Sequence, residues 1–313
     1  TILAAYLFAN SAGDERIKAA AAVLLGLALN GLWGPKVLDL FAYYLVRVDA
    51  ALVGAALMLT KSDIVWNDNI VGMANGHSIA YGCARMFRNC GAELAVTWIN
   101  DKTRSYVEPL ARELSASIMM PLNVEQSGAI EAVFDAIRER WGRLDFLLHS
   151  IAFAPAGDLH GRVADVSREG FGRAMDISCH SFMRMARLAE PLMDKGGTLL
   201  AMTYIGAEEV VPRYGVMGPV KAALEATVRY LASELGPCGI RVNAVSPGPI
   251  KTRSASGIRD FDKLFDEARR RAPLAREVDI DDIGSLCAFL VSDAAQAITG
   301  DTHYIDGGFH ILA

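Results

Sequence analysis

The chain has 313 residues, a hydrophobic fraction of 52% and a formal net charge of −5. That suits a deep core and one large domain, or one domain with an extension, and gives nucleic-acid phosphates no basic face to select. The five cysteines are scattered with no Cys-x-x-Cys, and the six histidines lack metal-ligand spacing. Idle thiols in a reducing compartment are expected, with neither a disulfide framework nor a metal site.

Residues 1 to about 62 differ in composition from the rest. Ala19 to Pro35 carries no formal charge, and Lys36, Asp39, Arg47 and Asp49 then interrupt a second apolar stretch. The first run is at the lower length limit for a membrane span, and Asn30 and Pro35 weaken it. Charged residues and a polar lead before it do not fit an ordinary signal peptide. The segment reads as an apolar extension, as packed helices or as a stretch foreign to the fold. The expected location is therefore the cytoplasm, with membrane contact only if residues 17–60 form a genuine anchor.

From Ile70 the chain alternates strands and helices. Ile70-Val-Gly ends a first strand and a helix follows to Phe87; Ala92 to Trp98 is a second strand, with a helix over Val107 to Leu114. Ile118 to Val124 is a third strand, followed by a helix over Ala129 to Trp141. Leu144 to Ile151 is an apolar run suited to a strand buried on both faces. A long helix over Phe171 to Met193 leads to a fifth strand from Thr198 to Tyr204. The next helix ends near Leu235, Ile240 to Val245 is a sixth strand, Ile283 to Leu290 a helix, and Thr302 to Asp306 a seventh strand. This order predicts an α/β fold: a Rossmann-like, doubly wound parallel sheet spanning residues 63–313, with ligands at the carboxyl ends of the strands.

The first strand–helix turn, Gly72-Met-Ala-Asn-Gly-His-Ser-Ile-Ala, offers backbone N–H groups and a helix N-terminus to an anion. Ser78 can cap that helix and reach a phosphate, or serve only as the cap. Further along, Tyr204 and Tyr214 precede Lys221. Pro219 can open a helix. Seven positions separate Tyr214 from Lys221, so on a helix the two share a face. A close ammonium would lower the phenol's pKa. In isolation such a pair is more often a solvated surface pair.

The motifs together are specific. Gly72-Met-Ala-Asn-Gly-His-Ser-Ile-Ala, Leu144-Asp-Phe-Leu-Leu-His-Ser-Ile-Ala-Phe-Ala-Pro, Tyr204-Ile-Gly-Ala-Glu, Tyr214-x6-Lys221 and Gly239-Ile-Arg-Val-Asn-Ala-Val-Ser-Pro-Gly-Pro-Ile-Lys-Thr occur in that order. Ile298-Thr-Gly and Ile305-Asp-Gly-Gly close the series. From Ile70 onward the chain resembles the short-chain dehydrogenase/reductase superfamily, and within it the bacterial enoyl-acyl-carrier-protein reductases.

That resemblance implies reduction of the trans-2 double bond of enoyl thioesters carried on acyl carrier protein, in fatty acid elongation. Tyr214 would hydrogen-bond the thioester carbonyl, Lys221 would hold the nicotinamide ribose, and Tyr204, the third catalytic residue, would lie beside the acyl chain and help in gating or protonation. Gly72, Ser78 and Ile79 would meet the pyrophosphate. Asn123 and Val124 would flank the adenine, and Ser150, Ile151 and Ala152 the adenosine side. Pro249, Ile250 and Thr252 would meet the nicotinamide and phosphate. Phe153, Ala154 and Met217 would border the acyl pocket with the two tyrosines, although Met217 and Phe153 also suit plain packing and Asn123 a plain turn. The resemblance also implies a homotetramer built on the helices around Phe171–Met193 and Lys221–Leu235, and a loop from Lys251 to Asp266 that moves on binding.

Some positions depart from the family. Asn67-Asp-Asn69 directly precedes the first strand, a polar start for a central strand that puts its strength in question. Ile99 stands where relatives often carry a polar side chain, and Asn123 replaces a commoner Asp. Thr97-Trp-Ile-Asn ends without the acid that selects an unphosphorylated ribose, yet no arginine pair is there to hold a 2′-phosphate. NADH is favoured over NADPH. A carbonyl reductase of the same superfamily would need a serine about a dozen residues before Tyr214, where Ala201 and Met202 stand. A nucleotide-binding member without turnover is the other alternative.

Overall fold

The computed structural model describes residues 69–72, 78–250 and 261–312, with side chains outside 69–72 and 261–264. The expected extension over residues 1–62, the boundary after it, Thr252 and most of the loop after Lys251 lie outside the described residues.

Seven strands form one all-parallel sheet in the order β3-β2-β1-β4-β5-β6-β7. They are β1 (Asn69–Gly72), β2 (Leu94–Trp98), β3 (Ile118–Pro121), β4 (Phe146–His149), β5 (Gly197–Met202), β6 (Ile240–Pro247) and β7 (Thr302–Ile305). The direction of winding reverses between β1 and β4, so a crevice opens at their carboxyl ends. β1 holds the centre despite its polar start: Asn69 is in register with Leu94 on one side and Phe146 on the other. Pairing on both edges supplies what the polar residues do not.

Successive strand residues face opposite sides of the sheet. Leu147, Leu199 and Ala201 join one core with α3 (Ala129–Arg140), α6 (Ser181–Ala189) and α7 (Met217–Leu235). Phe146, Leu148, Leu200 and Met202 join the other with α1 (Ile79–Asn89), α2 (Asp101–Glu113) and α9 (Ile280–Val291). Both faces are therefore apolar, as the unbroken runs in β4 and β5 require.

Several boundaries differ from the sequence expectation. The α2 helix starts at Asp101, six residues before Val107, because Asn100 and Thr103 form a reciprocal capping box; Pro109 is inside it. The long helix expected from Phe171 to Met193 starts at Ser167's cap and is interrupted. Here α5 (Arg168–Met175) passes through a π turn over Asp176–His180 into α6, and a 3₁₀ turn closes at Leu192. Such a turn widens a helix locally and is often found at functional sites. Between β4 and α5 stands the short α4 (Ala156–Leu159). The stretch expected to be a loop as far as Asp266 becomes α8 (Phe261–Arg271).

The α1 helix, whose N-terminus faces the crevice, crosses α9 at very close range. A Cβ on Gly284 would stand 2.6 Å from the Gly82 carbonyl oxygen, a backbone atom that cannot turn aside. Gly284→Ala should therefore lose about 1–3 kcal/mol of stability through overpacking, despite alanine's better helix propensity. Urea unfolding of the variant and the parent measures this.

Candidate active site

The carboxyl ends of the strands carry the residues singled out from the sequence. Gly72 ends β1. Ser78 is buried, and its Oγ accepts from the Tyr81 N–H at 3.2 Å, so it does cap α1. No acidic residue stands in the first turn of α1, which leaves that helix end suited to an anion. Half-buried Ile79 follows.

After β3, Asn123 accepts from the Glu125 N–H through Oδ1 at 3.1 Å, closing a turn with its own side chain. Val124 is buried in the core, and its carbonyl accepts from Arg184 at 2.8 Å. Ser150 and Ile151 are half-buried beyond β4, and Ala152 is exposed. Phe153 is held from both sides of its peptide: its N–H donates to Ser178 Oγ at 2.9 Å, and that hydroxyl donates to its carbonyl at 3.1 Å. Ser178 belongs to the π turn, which thus fixes the start of the Phe153 loop. Arg173 lies over the Phe153 ring at 4.7 Å while holding Glu125 through two nitrogens. Half-buried Pro249 and buried Ile250 follow β6.

The tyrosines meet. The rings of Tyr204 and Tyr214 have centroids 5.0 Å apart at 64°, an edge-to-face contact. Gly206 makes room for it, since a Cβ there would stand 2.5 Å from Tyr214 Cδ1. Tyr214 also packs with Ala154 on a small cluster centred on Ala174, Val216, Met217 and Val220. Three of the residues assigned to the acyl pocket are therefore neighbours, and Met217 is buried there as core.

Two expectations about the Tyr–Lys pair are corrected. Tyr214 is not on the helix. It lies in the preceding turn between Arg213 and Gly215, both at positive φ, and α7 begins at Met217 rather than Pro219. Nor does the ammonium lower the phenol's pKa. Burial, then Tyr204, then Glu225 push Tyr214 upward. Burial and then Asp306 push Tyr204 up to about 12. Both are neutral phenols, able to donate hydrogen bonds.

Lys221 is 5% exposed and donates from Nζ to the Met202 carbonyl at 2.7 Å. Burial lowers its pKa to about 8, against smaller upward pulls from Cys179 and Glu225. His149, buried at the end of β4, is pushed down to about 3 by burial and by the Lys221 charge. Its Nε2 is 2.8 Å from Ser181 Oγ, which itself donates to the Ile177 carbonyl at 2.6 Å. The hydroxyl therefore accepts from Nε2–H, and buried Nδ1 is left as a bare acceptor.

Sequence reasoning missed His149, Ser178, Thr203 and Glu225. Thr203 Oγ1 donates to Glu225 Oε1 at 2.6 Å, with both side chains buried. Glu225 is four residues beyond Lys221, so helical spacing could have found it. The π turn that aims Ser178 leaves no such pattern.

The sheet order, an anion-ready helix end at the β1 turn and a tyrosine pair with a buried lysine beside β5 define a nucleotide-dependent reductase of the short-chain type. The family model described as enoyl-(acyl carrier protein) reductase matches residues 72–310. Enoyl-[acyl-carrier-protein] reductase [NADH] 1 of Rhizobium meliloti (strain 1021) is 48% identical over 243 residues, 78% of this chain and 89% of its own. The crystal structure of the Anaplasma phagocytophilum enoyl-acyl-carrier-protein reductase in complex with NAD matches with TM-score 0.76 and 42% identity, covering 79% of this chain and 94% of that one. The Bacillus cereus enoyl-acyl carrier protein reductase, crystallised with NADP+ and an indole naphthyridinone, matches with TM-score 0.77 and 42% identity over 79% and 97%. The chain belongs to the enoyl-acyl-carrier-protein reductase family.

Neutral tyrosines are open to a direct check. The tyrosinate absorbance developed by about pH 10.5 should be equal in the parent and in a Tyr204→Phe/Tyr214→Phe variant, because ordinary phenols titrate there and these two do not. A smaller signal in the variant would show that either phenol ionises in that range.

Proposed function

We propose that this chain reduces the trans-2 double bond of enoyl thioesters carried on acyl carrier protein, using NADH. The observation that carries this reading is the Tyr204–Tyr214 ring contact just past the end of β5, with buried Lys221 bonded to the last carbonyl of that strand. Bound NADH supplies the hydride that adds to C3 of the enoyl chain. As charge builds on the thioester oxygen, Tyr214 donates a hydrogen bond to it, the task of an oxyanion hole. A phenol pushed up by burial suits this role, since it holds its proton throughout. Lys221 would hold the nicotinamide ribose with its ammonium and Tyr204 would lie along the acyl chain; because Tyr214 keeps its proton, the enolate would take the proton at C2 from solvent water.

The cofactor assignment rests on what the strand ends offer. The α1 N-terminus, Ser78 and Lys221 make a donor set for a dinucleotide. At the end of β2, Asn100 is spent on its own capping box, and exposed Ile99 offers no polar contact. The nearby Arg104 is engaged by Glu108. This supports NADH, as do relatives whose names specify NADH.

A carbonyl reductase is disfavoured. Ala201 and Met202 end β5 without a hydroxyl, and the hydroxyl of Thr203 is bonded to Glu225. Tyr204 stands in its place.

The assembly is a homotetramer in this reading. A groove between α6 and α7, about 530 Å³, is lined by Met183, Ala186, Tyr230 and Leu231. Tyr230 is 73% exposed there, a large aromatic surface for a partner helix to cover. In this reading the chain is placed in the cytoplasm on the strength of its free thiols, and the candidate anchor over residues 17–60 lies outside the described residues. The five cysteines are free, and among the described residues no helix is long and apolar enough to cross a membrane.

NADH oxidation with crotonyl or longer enoyl thioesters tests the activity. Tyr214→Phe should lower kcat by about 10²–10³ while NADH binding survives; unchanged turnover would refute its role. Lys221 keeps its proton below about pH 8 and loses it above. The kcat/KM of the parent should therefore fall as pH rises through that value. Tyr230→Glu should convert a tetramer to smaller species in light scattering after size exclusion.

A further inference from the structure

The α7 helix grips the exit of β5 at two consecutive residues. Lys221 Nζ donates to the Met202 carbonyl at 2.7 Å. One helical turn later, Glu225 accepts from the Thr203 hydroxyl at 2.6 Å. The Thr203 N–H is bonded to the Val245 carbonyl of β6 at 2.9 Å. The next residue is Tyr204, whose backbone is extended before the chain turns at Ile205–Ala207. Thr203 and Glu225 are both about 4% exposed, so water does not compete for this bond.

We infer that Glu225 and Thr203 are positioning residues for enoyl reduction: their hydrogen bond aims Tyr204 at Tyr214 and sets a carboxylate one helical turn from Lys221. This rests on the function proposed above. A buried carboxyl with one hydroxyl partner is costly, and a valine–leucine contact would stabilise the same packing at less cost. A charge in that place therefore points to a task beyond packing.

The electrostatics agree with the geometry. The Glu225 charge opposes the downward push of burial on Lys221 and adds to the upward push on Tyr214. The groups facing Glu225 are Lys221 and Arg229 on its own helix, Glu208 beyond the 3₁₀ turn, Tyr214 in its loop and Tyr304 on β7. Lys221 is faced in addition by Cys179 of the π turn and His149 of β4. Cys179 and then Glu225 pull Lys221 upward, while burial pushes the Cys179 thiol and the Glu225 carboxyl up in their turn. Once ionised, the Glu225 carboxylate favours the ammonium, and neutralising it lowers the Lys221 pKa further.

Three variants and two readouts test this. Thr203→Val removes the hydroxyl without changing charge. It should lower kcat about ten-fold or more, with the KM for NADH within about two-fold of the parent. Thr203→Ser should restore most of that loss. Glu225→Gln keeps an acceptor for Thr203 but removes the charge. It should move the alkaline limb of kcat/KM to lower pH by about half a unit or more. The pH dependence of NADH affinity, followed by fluorescence, should shift the same way, because Lys221 holds the cofactor. Parental kcat in folded Thr203→Val, or unmoved limbs in Glu225→Gln, would overturn the inference. If the parent failed to reduce enoyl thioesters, the functional reading would fall, and the NADH-affinity limb would still decide the role of Glu225. If Glu225→Gln did not fold, the valine–serine pair at Thr203 would decide it.

Discussion

The ammonium of Lys221 is almost wholly removed from water, and the site is arranged around that cost. Burying an unpaired charge is expensive, so its hydrogen bond to the Met202 carbonyl is a structural demand as much as a chemical convenience. It ties α7 to the last residue of β5. The tyrosines on either side inherit their positions from that tie. Tyr204 stands two residues past the strand end, while Tyr214 stands in the turn that leads into α7. A lysine held this way has a low pKa and can report on small changes of local charge.

The same burial decides the character of the tyrosines. Near the surface, a lysine beside a phenol would favour the anion. Here desolvation dominates, and the neighbouring groups that matter are Asp306 for Tyr204, and Tyr204 and then Glu225 for Tyr214. The result is a pair of neutral donors next to an apolar cluster. In the proposed reaction that combination suits an oxyanion at the end of a fatty chain: a proton held firmly on a half-buried phenol backed by apolar side chains.

A second organising constraint is the π turn between α5 and α6. It puts Ser178 where it can both donate to and accept from the Phe153 peptide, so the loop after β4 begins at a defined point. The next turn places Ser181 against His149. One irregularity in a long helix thus fixes the floor and one wall of the crevice. Arg173, stacked on Phe153 and paired with Glu125, links that wall to the turn after β3.

Much of this was legible without coordinates. The alternation of apolar runs and amphipathic stretches determined seven parallel strands, because a strand buried on both sides must be apolar at every position. The ordered series of motifs from Gly72 to Gly308 determined the family, and the spacing of the α7 helix could have disclosed Glu225. Three things were decided only by tertiary structure. Tyr214 left the helix because Arg213 and Gly215 adopt positive φ, which spacing cannot reveal. The phenols stayed neutral because burial outweighs charge, and burial is a property of the whole fold. The Thr203–Glu225 bond formed because β5 and α7, distant in sequence, share one dry interface. Local pattern sets what each segment can become; which polar groups must then find each other depends on where water is excluded.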